Sequence, residues 1–197
     1  INVSPEETAR LATIFGCQVG SLPFTYLGLP LSLSKPKMED FFPIIKRIDS
    51  RLSSCSTFLS YGDKLTLIKY VFMHLPIFFM CTLDLPKGII EQINKALQHC
   101  FWRKYGMECR GPALIAWDKV FLPKDQGGLG VLNIDIHNKC LLMKHLHKFL
   151  HKENLPWIHL IWDSYYPDAV ITNRNVGSFW WKSIFKLLPE FKTVAKG

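Results

Sequence analysis

From Lys37 onward the apolar residues of this chain recur every three or four positions, and that period constrains the fold more than any other feature. Phe41, Ile45, Ile48 and Leu52 follow at steps of four, three and four, one stripe of a helix. Pro43 stands inside this pattern and is expected to kink its first turn. After Ser60 the period returns in Leu65, Ile68, Phe72 and Leu75 and ends before Pro76. A third stripe, Ile89 or Ile90, Ile93, Leu97 and Phe101, opens at Pro86. Three helices with one apolar face each and short connections predict a small bundle.

The N-terminal residues read differently. Ser4 can cap a helix, Pro5 suits its first position and Glu7 completes a capping box, so a helix is expected to Ile14 or Phe15, stopping at Gly16. Residues 22–26 and 29–33 are short apolar runs hinged about Gly28, which predicts a hairpin. Pro30 removes one backbone donor, so at least one strand must be an edge or irregular. Beyond the third stripe, residues 106–112 break the helical period, and 113–117 and 119–122 suggest extended pieces. A turn is expected at Gln126-Gly127-Gly128, and residues 129–136 lead into a helix through His151. An aromatic segment, 157–166, follows Pro156, and then a polar loop at 172–177. Ser178 can cap a last helix through Leu188, after which 189–197 carry no packing pattern and are expected to fray. The fold class is mostly α with a small β-hairpin (α+β), a helical bundle followed by a helical connector.

The length of 197 residues allows one domain or two small ones, and 48% apolar against 20% charged residues excludes disorder. Six tryptophans and fourteen phenylalanines exceed what one core needs, so some are expected to face another domain or a partner. Lysine and arginine outnumber aspartate and glutamate by 24 to 16, a net charge of +8. The excess is uneven: ten against eight in residues 1–100, fourteen against eight in 101–197. Such a balance favours a polyanionic partner. Cysteines at 17, 55, 81, 100, 109 and 140 form no CxxC pair, which excludes a disulfide-rich scaffold or a recognisable structural zinc site. Reduced, mostly packed thiols suit an intracellular protein, nuclear or cytoplasmic, and no secretory leader opens the chain. The most apolar stretch, 70–85, is broken by His74, Pro76 and Asp84 and is too short to span a bilayer.

Few residues suggest chemistry of their own. Gly127-Gly128-Leu129-Gly130 lacks either phosphate-binding glycine pattern and reads as a tight turn. His137, Cys140, Lys144, His147 and His151 fall on one helix face, opposite a buried stripe of Leu142, Leu146 and Phe149. Cys140 and His147 are two turns apart, roughly 10 Å of axial rise, too far to share one ion. The face is therefore expected to be solvated or RNA-facing rather than a zinc site. No nucleophile elbow or papain-like signature is present, and no catalytic residue is assigned.

Several motifs occur in one order: Leu22-Pro23-Phe24-Thr25-Tyr26-Leu27-Gly28-Leu29-Pro30-Leu31, then residues 58–69 with Leu65-Thr66-Leu67-Ile68-Lys69 at their end. Leu85-Pro86-Lys87, Phe101-Trp102, Ile115-Ala116-Trp117-Asp118-Lys119-Val120, Pro123-Lys124, Gly127-Gly128-Leu129-Gly130 and, more weakly, 179–184 follow. Over roughly residues 10–185 this order resembles the reverse transcriptases of plant LINE-type (non-LTR) retrotransposons, in the part downstream of their catalytic aspartates. The resemblance implies a residual palm edge with a primer-grip-like hairpin over 1–34, a thumb-like bundle over 35–105, a helical connector over 106–188 and a frayed tail over 189–197. It makes Tyr26, Leu27 and Gly28 primer-grip-like, with Tyr26 and Leu27 packing on a palm and so exposed here. It also implies that Lys46, Arg47, Arg51, Lys64 and Lys69, which lie off the apolar stripes, contact nucleic-acid phosphates. Gly62 and the acidic Asp63 depart from the family's pattern and lower the expected positive potential there.

The 23 residues before Phe24 hold no aspartate, and no Asp-Asp pair occurs anywhere in the chain. Two-metal phosphoryl transfer needs such paired carboxylates. The chain is thus expected to be a non-catalytic fragment of an RNA-directed DNA polymerase that positions an RNA template or RNA–DNA duplex. No cofactor is expected in it, with Mg²⁺ belonging only to the full-length polymerase. Its expected partners are that nucleic acid and an upstream palm and fingers, with no membrane, and its oligomeric state is left open. The rival reading is a decayed, mostly helical interaction or structural domain without nucleic-acid binding. The two differ in whether the five basic residues line one groove or scatter.

Overall fold

The computed structural model describes residues 3–55, 59–102, 115–171 and 176–195. The chain divides into two compact units, Ile1–Pro36 and Lys37–Gly197. It is mostly helical, with one small two-stranded antiparallel sheet.

The first unit holds α1 (Pro5–Phe15), β1 (Phe24–Tyr26) and β2 (Leu29–Leu31). The Ser4 hydroxyl accepts the Glu7 amide at 3.2 Å, and Gly16 closes the helix at a φ of 62°. The Glu7 carboxylate is taken by the Arg10 guanidinium at 2.6 and 2.8 Å, so only the Ser4 half of the expected capping box forms. The strands are shorter than the sequence suggests and pair Phe24 with Leu31, Thr25 with Pro30 and Tyr26 with Leu29. Leu27 (φ 51°) and Gly28 (φ 86°) are both left-handed, the signature of a two-residue type I′ turn. Counting from that turn, the Thr25–Pro30 pair falls at a non-hydrogen-bonded position, so Pro30 forfeits no ladder bond.

The second unit begins with a 3-10 turn, Met38–Phe41, that runs into α2 (Phe42–Cys55). Pro43 falls in the first turn of α2, where no amide is needed, rather than within the helix. The buried face is Phe41, Ile44, Ile48 and Leu52; Ile45, expected on the stripe, is half-buried. Next comes α3 (Tyr61–Leu67), continued as a π-helical turn, Ile68–Phe72, in which the Met73 amide reaches the Ile68 carbonyl at 3.0 Å. The widened turn rotates the apolar stripe. Lys64, Ile68, Phe72 and Met73 are buried, while Leu65 and Leu75 are half-buried.

Pro76 does not end this region but starts another helix, α4 (Ile77–Thr82), which the sequence reading lacks. The third stripe appears as expected in α5 (Lys87–Trp102), with Ile89, Ile90, Ile93, Leu97 and Phe101 buried. The break at 106–112 and residues 113 and 114 lie outside the described residues. Residues expected to be extended form instead a helical turn, α6 (Trp117–Val120). Then follow α7 (Ile134–Leu150), capped by Asn133, and α8 (Pro156–Tyr165). Most of the expected polar loop at 172–177 lies outside the described residues. Ser178 caps α9 (Phe179–Phe185) through the Trp181 amide at 3.2 Å. The tail is not frayed through Val194: Pro189 lies in the first turn of α10 (Leu188–Val194), and Leu188 is buried.

Within this unit α2 and α3 pack on α5, α4 packs on α7, and α9 and α10 also pack on α7. Around α7 the core consists of Leu142, Leu146, Phe149, Ile161, Trp181 and Ile184 among others. Phe149 stacks on Trp162 with centroids 4.6 Å apart and planes 10° apart, and meets Trp181 at 4.7 Å. None of the six tryptophans is exposed, whereas Phe15, Phe24, Phe42 and Phe78 are, so the surplus of large rings is only partly spent inside.

Polar side chains from α7 and α9 finish what the six-residue α4 leaves open. A helix ends with carbonyls that no amide of its own reaches. Here the Asn138 amide group donates to the Met80 and Leu83 carbonyls at 2.8 and 2.9 Å, and its oxygen accepts the Leu85 amide at 2.9 Å. His145 Nε2 donates to the Cys81 carbonyl at 2.8 Å, and Trp180 Nε1 to the Thr82 carbonyl at 2.7 Å. Four successive carbonyls, 80 to 83, are thus met by three side chains from elsewhere in the chain.

Candidate nucleic-acid interface

The basic residues singled out from the sequence separate into three environments. Lys46, Arg47 and Arg51 are exposed on α2, away from Ile44 and Ile48. Arg47 and Arg51 are one turn apart on a shared face, and Lys46 is turned about 100° from Arg47. The ion pairs seen among the described residues use Arg10, Lys139 and Lys148, so none engages this trio.

Lys64 corrects the sequence reading. Only 3% of it is exposed, because it shares the buried face with Ile68 and Phe72, and it is not a solvent-facing phosphate contact. Its ammonium lies 5.6 Å from the centroid of the Tyr61 ring, and it makes further interactions. Tyr61 in turn meets Phe101 edge-on at 5.9 Å. Asp63 also has a structural purpose. Its carboxylate accepts from the Ser60 amide at 3.2 Å and the Ser60 hydroxyl at 2.6 Å, while the Ser60 hydroxyl accepts the Asp63 amide. This capping box was legible as a serine followed three residues later by an acid.

Lys69 is half-buried and points toward the Gly127–Gly130 loop rather than toward α2. A Cβ placed on Gly130 would lie 3.5 Å from Lys69 Nζ and 3.8 Å from Lys124 Cγ, so two basic side chains meet at this loop. The loop is a closed turn, as the sequence indicates. The amides of Gly127, Gly128 and Gly130 donate to the carbonyls of Lys124, Pro123 and Leu122 and are not free to cradle a phosphate. The five basic residues therefore do not share one groove.

In the other unit, Tyr26 and Leu27 are 58% and 71% exposed at the tip of the hairpin, and Gly28 is half-buried. On α7 the face of Cys140, Lys144, His147 and His151 is exposed and the opposite stripe buried. His147 and His151 stack at 4.1 Å, and His151 Nδ1 donates to the His147 carbonyl at 2.8 Å. His137 is half-buried, its Nδ1 enclosed without a partner. Burial first, and then the charges of His74 and Lys144, hold its pKa below the usual 6.5. Cys17 and Cys140 are exposed, so the thiols are less uniformly packed than expected. Among the described residues no helix is long and apolar enough to cross a membrane.

Sequence reasoning missed Asn138, His145 and Trp180, whose partners are 53 to 98 residues away. It also missed Lys152, whose ammonium lies 4.5 Å over the Trp162 ring. Nothing local marks the first three; the only signal for Lys152 is a helix end without glycine.

Comparison with known proteins gives two relatives, both from Arabidopsis thaliana. A "Putative ribonuclease H protein" is 28% identical over 147 residues, 74% of this chain but 24% of its own length. An "Uncharacterized mitochondrial protein" is 28% identical over 116 residues, 57% of this chain and 75% of its own length. This chain thus spans about a quarter of the first relative and three quarters of the second. No family model and no solved structure matches. The chain is similar to plant proteins, one of them named for ribonuclease H.

Proposed function

We propose that this chain is a non-catalytic, nucleic-acid-positioning part of a plant retrotransposon-derived RNA-directed DNA polymerase. The observation that carries the reading is the exposed basic face of α2, where Lys46, Arg47 and Arg51 stand without ion pairs among the described residues. Unpaired, solvated cations on a chain of net charge +8 suit a phosphate backbone, which they hold without reading sequence. Similarity to a plant protein named as a putative ribonuclease H supports a nucleic-acid-related role. Lys69 with Lys124 offers a second, smaller contact, and Lys64 drops out of the set. The exposed Tyr26 and Leu27 would dock on the palm of the polymerase. The absence of an Asp-Asp pair supports leaving catalysis, and its Mg²⁺, to that palm.

Titration of an RNA–DNA hybrid at several salt concentrations tests this. The chain should bind with little sequence preference and a steep salt dependence. The double variant Arg47→Ala/Arg51→Ala should bind more weakly, with a salt slope smaller by up to about two units. Its stability should change by no more than about 0.5 kcal/mol. No binding at low salt, or an unchanged slope in the variant, refutes the assignment and leaves the interaction-domain reading.

A further inference from the structure

Lys152 breaks a local rule at the end of α7. Its amide donates to the Phe149 carbonyl and that of Glu153 to the Lys148 carbonyl, both at 3.1 Å, the paired bonds of a Schellman ending. That ending places a left-handed residue where glycine is usual, and Lys152 takes it at a φ of 48°. Ala169, just past α8, is also left-handed at 55°. Leu27 is the other non-glycine residue of this kind among the described residues. Lys152 and Ala169 border one shallow cavity of about 250 Å³ beside α8. Strained residues of this sort gather at ligand sites.

The strain has a visible consequence. Phe149 covers one face of the Trp162 indole, and the left-handed turn holds the Lys152 ammonium 4.5 Å over the other. His159 and Asp163, one turn apart on α8, line the same cavity, with Pro167 beside them. No carboxylate pairs with Lys152 among the described residues. The space is below that of a drug-sized pocket and admits one ring system.

We propose that this cavity takes one unpaired nucleotide of a single strand, its phosphate on Lys152 and its base against Pro167 and the edge of the Trp162 ring, whose two faces are already covered. Asp163 would accept a hydrogen bond from the exocyclic amino group of the base. A carboxylate beside the ring disfavours an acidic peptide, whereas a base with an amino group satisfies both charges. The inference rests on the chain being a nucleic-acid binder but uses none of the α2 residues, so the two readings fail separately.

The test is anisotropy of labelled five-nucleotide oligo(C) and oligo(U), as RNA and as DNA, at low salt. Oligo(C) should bind more tightly than oligo(U), which lacks the amino group. Lys152→Gly should weaken oligo(C) binding about tenfold, the loss of one charged phosphate contact, without lowering the melting temperature, because glycine suits the left-handed turn. Asp163→Ala should abolish the preference for C over U. Lys152→Gly should leave hybrid binding unchanged, and Arg47→Ala/Arg51→Ala should leave oligo(C) binding unchanged. Equal affinity of the Lys152→Gly variant and the parent for oligo(C) overturns the proposal. So does hybrid binding without oligo(C) binding, or capture of an acidic tyrosine-containing peptide in place of any oligonucleotide.

Discussion

Replacing Asn138 should cost this protein about as much as truncating one of its large apolar core residues. The side chain is 2% exposed and makes three hydrogen bonds, to the Met80 and Leu83 carbonyls and the Leu85 amide. Each is worth about 1 kcal/mol net, and a buried amide left without an acceptor costs about 1–3 kcal/mol on its own. Asn138→Ala therefore loses about 3–5 kcal/mol, a large share of an ordinary domain's 5–15 kcal/mol. For a chain of this size the melting temperature should fall by about 6–20 °C. Urea unfolding followed by circular dichroism measures the loss directly, and the m value should stay the same. Asn138→Asp sharpens the test. A carboxylate there would face two carbonyl oxygens, so its pKa in the folded protein lies above the unfolded value of about 3.9. Below that value both states are protonated and no penalty arises. As pH rises past it the unfolded state ionises first, so this variant should be weaker at pH 7 than at pH 4.5. A loss under about 1 kcal/mol in Asn138→Ala would refute the view that these three bonds tie α4 to α7.

Two further outcomes are expected from stability measurements. A Cβ on Gly128 would run into the Leu122 carbonyl, whereas one on Gly127 meets open space and only an unfavourable φ of 77°. Gly128→Ala should thus cost about 3 kcal/mol or more, and Gly127→Ala about 1 kcal/mol; similar values in parallel melts would contradict this packing of the loop. His137 has a folded pKa below its unfolded value, so its contribution is full above about pH 6.5 and is lost as pH falls through the folded pKa. Melts from pH 7.5 to 5 should show that decline, partly removed in His137→Gln, and the imidazole should titrate below 6.5 by NMR.

What the sequence made legible was local. Ser4, Pro5 and Gly16 frame α1 because caps act within a turn of the chain, and the stripe of α5 is visible because an unbroken helix keeps its period. The stripe of α3 failed where the period itself changes. One π turn at Ile68–Phe72 rotates the buried face, carrying Lys64 inward and Leu65 and Leu75 toward the edge. Pro76 was read as a stop, yet it stands at the start of α4, a role that proline takes equally well. Of the candidate interface, Lys46, Arg47 and Arg51 lie off the apolar stripe and exposed, as their spacing indicates. The partnership of Lys69 with Lys124 was hidden because it depends on a loop more than fifty residues away folding back. The carbonyl contacts of Asn138, His145 and Trp180 were hidden for the same reason.

Those carbonyl contacts also bear on how the chain is made. Trp180, which meets the Thr82 carbonyl, is 98 residues downstream of it. At ordinary elongation rates a ribosome needs roughly 5–20 s to add that many residues. Until α7 has been made, α4 is a six-residue helix with open carbonyls, and Phe79 and Met80, buried in the finished protein, have not yet received their covering helix; the Thr82 carbonyl then waits alone for α9. The nascent chain therefore carries an unfinished apolar segment well after its codons have been read. Chaperones that hold exposed apolar surface would find their binding window there, and it would close with the synthesis of α7, leaving α9 to complete the last carbonyl contact.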